Sequence, residues 1–324
     1  MIDFLRGAPV AGSLDVVWHA GRPSPNHDPA PEIQVHAYSE HTVILRQNKS
    51  VHYEAPFLFL LFGNERALLL DTGASADPAH FPLRETVDRL VTNWLERHPR
   101  PAYSLLVAHT HGHGDHVAAD GQFADRPLTT VVGPGLEEVT SAFGLTDWPH
   151  RTGTLDLGGR ILDLIPGPGH ERAALVFHDR HTGLLLTGDS LYPGRLYIED
   201  RTAYSATVDR LLDFCATRPV RHVLGCHIEM TTTPGEDYPR GTTHQPDEPP
   251  LQLTPDHLRT LRGALDETAD HHGTHPYGDF ILVYRDRPPA RRARGQEPAK
   301  VVAGADPLSL KGIDQCYGRA PRSP

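Results

Sequence analysis

The segment Thr110-His-Gly-His-Gly-Asp-His116 contains three imidazoles and one carboxylate within seven consecutive residues. It directly follows Ser104-Leu-Leu-Val-Ala108 and His109, and this short apolar run predicts a buried strand. Alternate residues of an extended chain point to the same side, so the first two histidines of the segment can share one metal ion. The glycine turn can direct the aspartate and the last histidine toward a second ion. The spacing therefore predicts a metal site where a strand ends.

Two metal ions need more protein ligands than this segment supplies. Further candidates each follow glycine closely and lie near the end of a predicted strand: His170 in Gly169-His170, Asp189 in Thr187-Gly-Asp189, and His227 in Gly225-Cys-His227. Taken singly, they also fit a loop histidine, a helix-capping aspartate and a buried histidine. Their shared context favours the ligand interpretation for all three.

Most of the chain alternates short apolar strands with amphipathic helices, which is typical of α/β proteins. Helices are predicted from Phe81 to His98 and near 203–216, and a third begins after Thr254-Pro255. A hairpin is predicted over 56–71. Further strands are predicted near 128–133, 161–165, 173–178, 184–187, 220–224 and 278–284.

One domain is predicted over residues 1–285. Within it, residues 229–253 are rich in Pro, Thr and Gly and lack periodicity, which indicates a lid, a binding loop or disorder near His227. After Arg285 the composition turns to Pro, Arg, Ala and Gly. That change predicts a poorly ordered tail over 286–324.

The bulk composition narrows the class of protein. The 324 residues include 41 acidic and 31 basic side chains, a net charge of −10, which disfavours binding to nucleic acid or to anionic lipid. No leader-like apolar run and no stretch of about 18 apolar residues is present, so we expect a cytoplasmic protein without a membrane span. The three cysteines are far apart, which argues against a disulfide framework or a thiolate metal cluster. Oligomeric state is left open.

Taken in order, these motifs resemble those of the metallo-β-lactamase-fold superfamily over about residues 55–230. The resemblance implies an αββα sandwich, in which two mixed sheets pack face to face, helices cover the outer faces, and two metal ions lie at one edge. It implies zinc, with iron or manganese as alternatives. The matching motifs are Leu68-Leu-Leu-Asp-Thr-Gly73, Thr110-His-Gly-His-Gly-Asp-His116, Gly169-His170, Thr187-Gly-Asp189 and Gly225-Cys-His227. The implied ligands are His111, His113 and His170 for the first ion and Asp115, His116 and His227 for the second, with Asp189 bridging both.

The aspartate at position 189 indicates which branch of the superfamily the sequence resembles. True β-lactamases carry cysteine or serine at the corresponding position, whereas hydroxyacylglutathione hydrolases, lactonases and related esterases carry aspartate. The resemblance thus implies attack by a metal-bridging hydroxide on an ester, thioester or lactone carbonyl of a small molecule. Asp115 would orient that hydroxide or handle a proton. Tyr192, three residues after Asp189, matches a lactonase tyrosine that contacts the substrate carbonyl, and the alternative is an aromatic side chain that packs near the site. Asp71 would support the metal-binding loop, and Cys226 would pack.

Three other functions stay open at this point. Nitrogen and oxygen ligands also suit a mononuclear iron oxygenase acting on a persulfide. A phosphodiester hydrolase and a non-catalytic, metal-stabilised binding protein are the others. The substrate is not determined, because the residues outside the motifs either shape a pocket or merely pack: Tyr38, His41, His52, Tyr53 and Tyr238. The remaining histidines near the motifs and near the last helix are read as ordinary side chains: His109, His178, His181, His222, His271, His272 and His275.

Overall fold

The computed structural model describes residues 1–5, 7–24, 28–269 and 271–285. The predicted tail over 286–324, with Cys316, lies outside these residues. Within these residues, the strands form two six-stranded mixed sheets and one three-stranded sheet. The two large sheets are the layers that the sequence motifs imply.

The first sheet contains, in spatial order, β1 (Ile33–Ser39), β2 (Thr42–Gln47), β3 (Phe57–Phe62), β4 (Arg66–Leu70), β5 (Ser104–Ala108) and β6 (Thr129–Val131). The second contains, in chain order, β7 (Gly153–Asp156), β8 (Ile161–Pro166), β9 (Leu175–Asp179), β10 (Leu184–Gly188), β12 (His222–Gly225) and β13 (Gln252–Leu253), and its spatial order is β13-β12-β10-β9-β8-β7. The small sheet consists of β11 (Arg195–Ile198), β15 (Ile281–Tyr284) and β14 (Gly273–Pro276). Parallel pairing occurs at β4–β5–β6, β10–β12 and β11–β15, and the other neighbours are antiparallel.

Side-chain alternation divides each large sheet between two cores. On β3, Phe59 belongs to a core shared with the second sheet, whereas Leu58 belongs to a core on the outer face of the first sheet. On β10, Leu186 faces the shared core and Leu185 faces an outer core. Because both faces are covered, every residue of β3 and β10 is buried, and the apolar residues of each strand run consecutively rather than alternating with polar ones.

Helices supply the outer layers. The helix α1 (Leu83–Arg97) buries Val87 and Trp94 in the outer core of the first sheet. The helices α4 (Arg201–Thr217) and α5 (Pro255–Glu267) pack in the outer core of the second sheet. Two shorter helices are α2 (Gly114–Val117) and α3 (Leu136–Phe143), and a 3-10 helix covers Asp120–Phe123. The αββα sandwich is therefore confirmed.

The sequence pattern did not predict the N-terminal strands, and β2 shows a physical reason. All six residues of β2 are buried, but they include Arg46, whose charge obscures the strand pattern. Its guanidinium donates two hydrogen bonds of 2.6 Å to Glu248, more than two hundred residues along the chain. A buried arginine is tolerated only with such a partner, which local sequence does not reveal. His275, expected near a helix end, instead lies on β14.

The aperiodic segment 229–253 is structured and packed against the sandwich. Met230 and Asp237 form an antiparallel bridge, and His244 pairs with Gly21 of the N-terminal region. Glu248 of the same segment binds Arg46 of β2. Of the three predicted outcomes, disorder is therefore wrong. No helix among the described residues has the length and apolar character needed to cross a membrane.

Candidate metal centre

All seven predicted ligands follow the carboxyl ends of strands in the sandwich. The segment with His111 to His116 follows β5, His170 follows β8, Asp189 follows β10, and His227 follows β12. Ligand sites of open α/β sheets gather at such strand ends, because the loops there converge on a common crevice. The structure brings the seven side chains together.

Glycine is required directly before Asp189. Gly188 has a φ of 53°, and a Cβ added there would lie 2.6 Å from the Cβ of Thr110. Only a residue without a side chain fits this left-handed turn against the neighbouring loop. The turn fixes where Asp189 leaves β10, and it places that carboxylate beside the histidine segment.

The first group consists of His111, His113 and His170. The Nε2 atom of His170 lies 3.3 Å from Nε2 of His111 and 3.0 Å from Nδ1 of His113, and the last two atoms are 3.0 Å apart. Donors placed tetrahedrally at about 2.0–2.1 Å around a zinc ion are about 3.3 Å from one another. The three nitrogens thus form one triangular face of a metal site.

The second group consists of Asp115, His116 and His227. Nε2 of His227 lies 3.4 Å from Nε2 of His116 and 3.3 Å from Oδ2 of Asp115. Oδ2 of Asp115 is also 3.5 Å from Nε2 of His116. These spacings again match three donors around one ion.

Asp189 stands between the two groups and presents one oxygen to each. Its Oδ1 is 3.5 Å from Nε2 of His116 and 3.4 Å from Nε2 of His227. Its Oδ2 is 3.6 Å from Nε2 of His170 and 4.0 Å from Nε2 of His111. Oδ1 is buried and has no hydrogen-bond partner. A buried carboxylate oxygen without a donor is costly, and a cation would satisfy it.

In His170 and His227, the ring nitrogen that points away from the site donates a hydrogen bond, which shows where the ring proton lies. Nδ1 of His170 donates to the carbonyl of Tyr197 at 2.8 Å, and Nδ1 of His227 donates to the carbonyl of Glu54 at 3.1 Å. In the neutral ring, each Nε2 therefore carries a lone pair that points into the site. Lone pairs that face one another at about 3 Å repel unless a cation lies between them, so the donor set fits divalent metal ions.

The electrostatics of the protein alone point to the same conclusion. Burial alone would lower the pKa of His227, but the carboxylates of Asp189 and Asp115 raise that pKa to about 9. Burial would raise the pKa of Asp189, whereas the imidazoles of His227 and His116 hold it well below the usual carboxyl range. Burial lowers the pKa of His170. The carboxylates thus stay ionised and demand positive charge, which a proton or a metal ion can supply.

Asp71 supports the candidate ligands, as the family resemblance implied. Its Oδ1 accepts the backbone N–H of Thr110 at 2.7 Å, and its Oδ2 accepts Nδ1–H of His116 at 3.0 Å. Oδ2 also accepts the Thr110 hydroxyl at 2.8 Å and the thiol of buried Cys226 at 3.4 Å. Asp71 therefore fixes both the loop and the ring orientation of one ligand.

The Asp71→Asn variant is expected to bind metal about 10- to 100-fold more weakly, because an amide cannot accept all of the protons that now point at the carboxylate. Competition with a chromophoric chelator measures this affinity directly. An affinity equal to that of the wild type would contradict the supporting role of Asp71.

Tyr192 lies beside the centre, but its hydroxyl has protein partners. The residue is 2 % exposed, and its hydroxyl donates to the carbonyl of Arg195 at 2.5 Å. Glu229 lies 3.3 Å from the same hydroxyl, and the ring centroid is 5.4 Å from that of His227. The predicted contact with a substrate carbonyl stays a prediction, and the observed bonds tie the hydroxyl of Tyr192 to Arg195 and Glu229.

A cleft of about 250 Å³ opens over the ligands. Its wall includes Tyr53, which sequence alone left open between a pocket residue and a packing residue. The wall also contains residues that no sequence motif singled out: Glu54, Tyr197, Glu229, Arg240 and Arg285. A larger cleft of about 310 Å³ lies between segments 14–20 and 245–252, but none of the seven ligands lines it. We therefore assign the chemistry to the smaller cleft. Of the other residues left open by sequence, Tyr38 is buried in the shared core.

The fold and this centre define an αββα metalloprotein whose donor set consists of histidine and aspartate. A family model described as the metallo-beta-lactamase superfamily matches residues 55–227, more than half of the chain. The chain belongs to that superfamily.

Several characterised proteins are similar to parts of the chain. A hydroxyacylglutathione hydrolase from Rhizobium meliloti (strain 1021) is 30% identical over 143 residues, 43% of this chain and 54% of that protein. The acyl-coenzyme A thioesterase MBLAC2 from Gallus gallus is 25% identical over 207 residues, 53% of this chain and 72% of that protein. The chain spans about half the length of the hydroxyacylglutathione hydrolases it matches. A solved metallo-beta-lactamase from Pontibacter korlensis is 18% identical, with a TM-score of 0.48, and the match covers 72% of this chain and 99% of that one.

Proposed function

We propose that this protein is a dinuclear metal-dependent hydrolase, with zinc as the metal, that acts on the carbonyl of an ester, thioester or lactone. The two ions would be held by the first and second groups, and Asp189 would bridge them. The observation that carries the proposal is the division of the Asp189 carboxylate, whose two oxygens face two different sets of histidines. A site for one ion would need only one of these sets.

When bound, the two ions would supply Lewis acidity, lowering the pKa of a water toward neutrality and stabilising charge on the carbonyl oxygen. The protein contributes fixed geometry, since backbone carbonyls hold His170 and His227 in place. Asp115 lines the open cleft, so its carboxylate would be placed to orient the attacking water or to handle its proton. The relatives named as thioesterase and hydroxyacylglutathione hydrolase support a thioester carbonyl as the first substrate to test.

The test combines measured metal content with a panel of thioesters, lactones, aryl esters and phosphodiesters. We expect two zinc ions per chain and hydrolysis of at least one carbonyl substrate, both lost after chelation and restored by zinc. One iron per chain with oxygen consumption on a persulfide would overturn the proposal. So would activity confined to phosphodiesters, or metal binding without any turnover.

The remaining expectations belong to the same proposal. The substrate would be a small molecule, because the cleft over the ligands is small and the chain has a net charge of −10, which disfavours a polyanion. We also propose a cytoplasmic location, which fractionation of the native host cells would test.

A further inference from the structure

The cleft over the metal ligands contains two arginines amid several acidic side chains. Arg240 and Arg285 line the wall, together with Glu54, Glu229 and the metal-ligating aspartates. Arg285 already has partners, because it binds Glu199 at 3.0 Å and its guanidinium lies 4.5 Å from the ring centroid of Tyr197. Its charge is thus largely engaged by the protein.

Arg240 differs from Arg285 in having most of its donors free. Its Nε donates to the hydroxyl of Tyr53 at 3.3 Å. Among the described residues, no carboxylate oxygen lies within ion-pair distance of its guanidinium. A guanidinium has five N–H donors in a planar fork, and the fork fits carboxylate and phosphate oxygens in pairs. Arg240 thus offers two terminal nitrogens to the cleft.

The backbone around Arg240 is held firmly, so the side chain is presented from a defined position. Arg195 donates to the carbonyl of Tyr238 at 2.8 Å and forms an ion pair with Asp237. The hydroxyl of Tyr238 accepts the backbone N–H of Asp247 at 2.7 Å. These bonds fix the segment two residues before Arg240. At the other end of the side chain, Tyr53 is itself held, because its hydroxyl donates to Glu54 at 2.8 Å.

We infer that Arg240 is a specificity-determining residue that binds an anionic group, a carboxylate or a phosphate, on the part of the substrate that lies away from the scissile carbonyl. The inference rests on the proposed hydrolysis and adds the class of substrate. A guanidinium without a carboxylate partner at the cleft attracts an anion and orients it, because a charge-assisted pair of hydrogen bonds fixes both distance and direction. Tyr53 would position the guanidinium through its contact with Nε.

The experiment compares matched thioesters of one acyl group. An acyl-glutathione is paired with its diethyl ester, which masks both carboxylates, and an acyl-coenzyme A is paired with the acyl-pantetheine, which lacks the phosphates. For the wild type, we expect kcat/KM to favour the charged member of at least one pair. In Arg240→Gln, the ratio of charged to neutral substrate should fall about tenfold. Arg240→Lys, which keeps the charge without the fork, should give an intermediate ratio.

Arg259→Gln is the matched control, because Arg259 is an exposed arginine of α5 paired with Asp256 and does not line the cleft. Its ratio should equal that of the wild type. A preference confined to the glutathione pair identifies a carboxylate as the ligand, and one confined to the coenzyme A pair identifies a phosphate. An Arg240→Gln ratio equal to that of the wild type overturns the inference.

Binding measurements separate this inference from the proposed hydrolysis. S-alkyl glutathione and S-alkyl coenzyme A have no scissile carbonyl, so calorimetric titration reports the anion site even if no thioester is cleaved. Weaker binding of one of these thioethers by Arg240→Gln than by Arg259→Gln supports the inference without any turnover. Equal binding of both thioethers by the two variants contradicts it, even if the wild type hydrolyses thioesters.

Discussion

Replacing Asp189 with alanine is expected to remove at least one of the two proposed metal ions and to lower kcat/KM by at least about a thousandfold, or about 4 kcal/mol. Both carboxylate oxygens face imidazoles, so the truncation removes the shared ligand of the two groups at once. It also removes the negative charge that holds the pKa of His227 high. Elemental analysis and steady-state kinetics on the same preparation give both quantities.

Two companion variants make the Asp189 result specific. Asp189→Asn keeps the volume and one acceptor oxygen, so it should retain more metal than the alanine variant. Asp213→Ala removes an exposed carboxylate from α4, away from the ligands, and should keep full metal content and turnover. Circular dichroism should show folded protein in all three. Full metal content and full turnover in Asp189→Ala would refute the bridging role.

The largest effect on folding is expected at the ion pair between Arg160 and Asp179. Both side chains are fully buried, with Nη2 of the arginine 2.6 Å from Oδ2 of the aspartate. Arg160 also donates to Thr42 at 2.6 Å and to the carbonyl of Phe62 at 3.0 Å, so it ties the second sheet to the first. Asp179→Asn leaves a buried guanidinium uncompensated. We expect the free energy of unfolding to fall by about 3–5 kcal/mol.

Urea denaturation of the chelated protein measures the loss at Asp179 without any contribution from bound metal. The double variant Arg160→Met with Asp179→Leu should recover much of the loss, because removing both charges leaves neither one unpaired. Asp256→Asn, which breaks an exposed ion pair with Arg259, should change the stability little. A loss at Asp179 no larger than at Asp256 would contradict the argument.

The sequence by itself predicted the seven candidate ligands, and its resemblance to a known superfamily implied the layers that carry them. His111, His113, Asp115 and His116 are covalent near-neighbours, so strand geometry and one turn dictate how they project. Strands that are buried on both faces contain runs of consecutive apolar residues, and such runs made β3, β5 and β10 predictable. The glycine before Asp189 marked a tight turn at a strand end. These are local properties, and local properties are what a sequence records directly.

Only the tertiary structure decided how the ligands are held and what surrounds them. The carbonyls of Glu54 and Tyr197 orient His227 and His170, and a backbone carbonyl has no signature in the residue type that carries it. The buried position of Arg46 in β2 is explained only by its ion pair with Glu248, which is distant in sequence. The hydroxyl of Tyr192 donates its hydrogen bond to the carbonyl of Arg195 rather than to a group in the cleft. Apart from this last bond, each of these contacts joins residues far apart along the chain, and all of them arise when the packed sheets and loops bring the groups together.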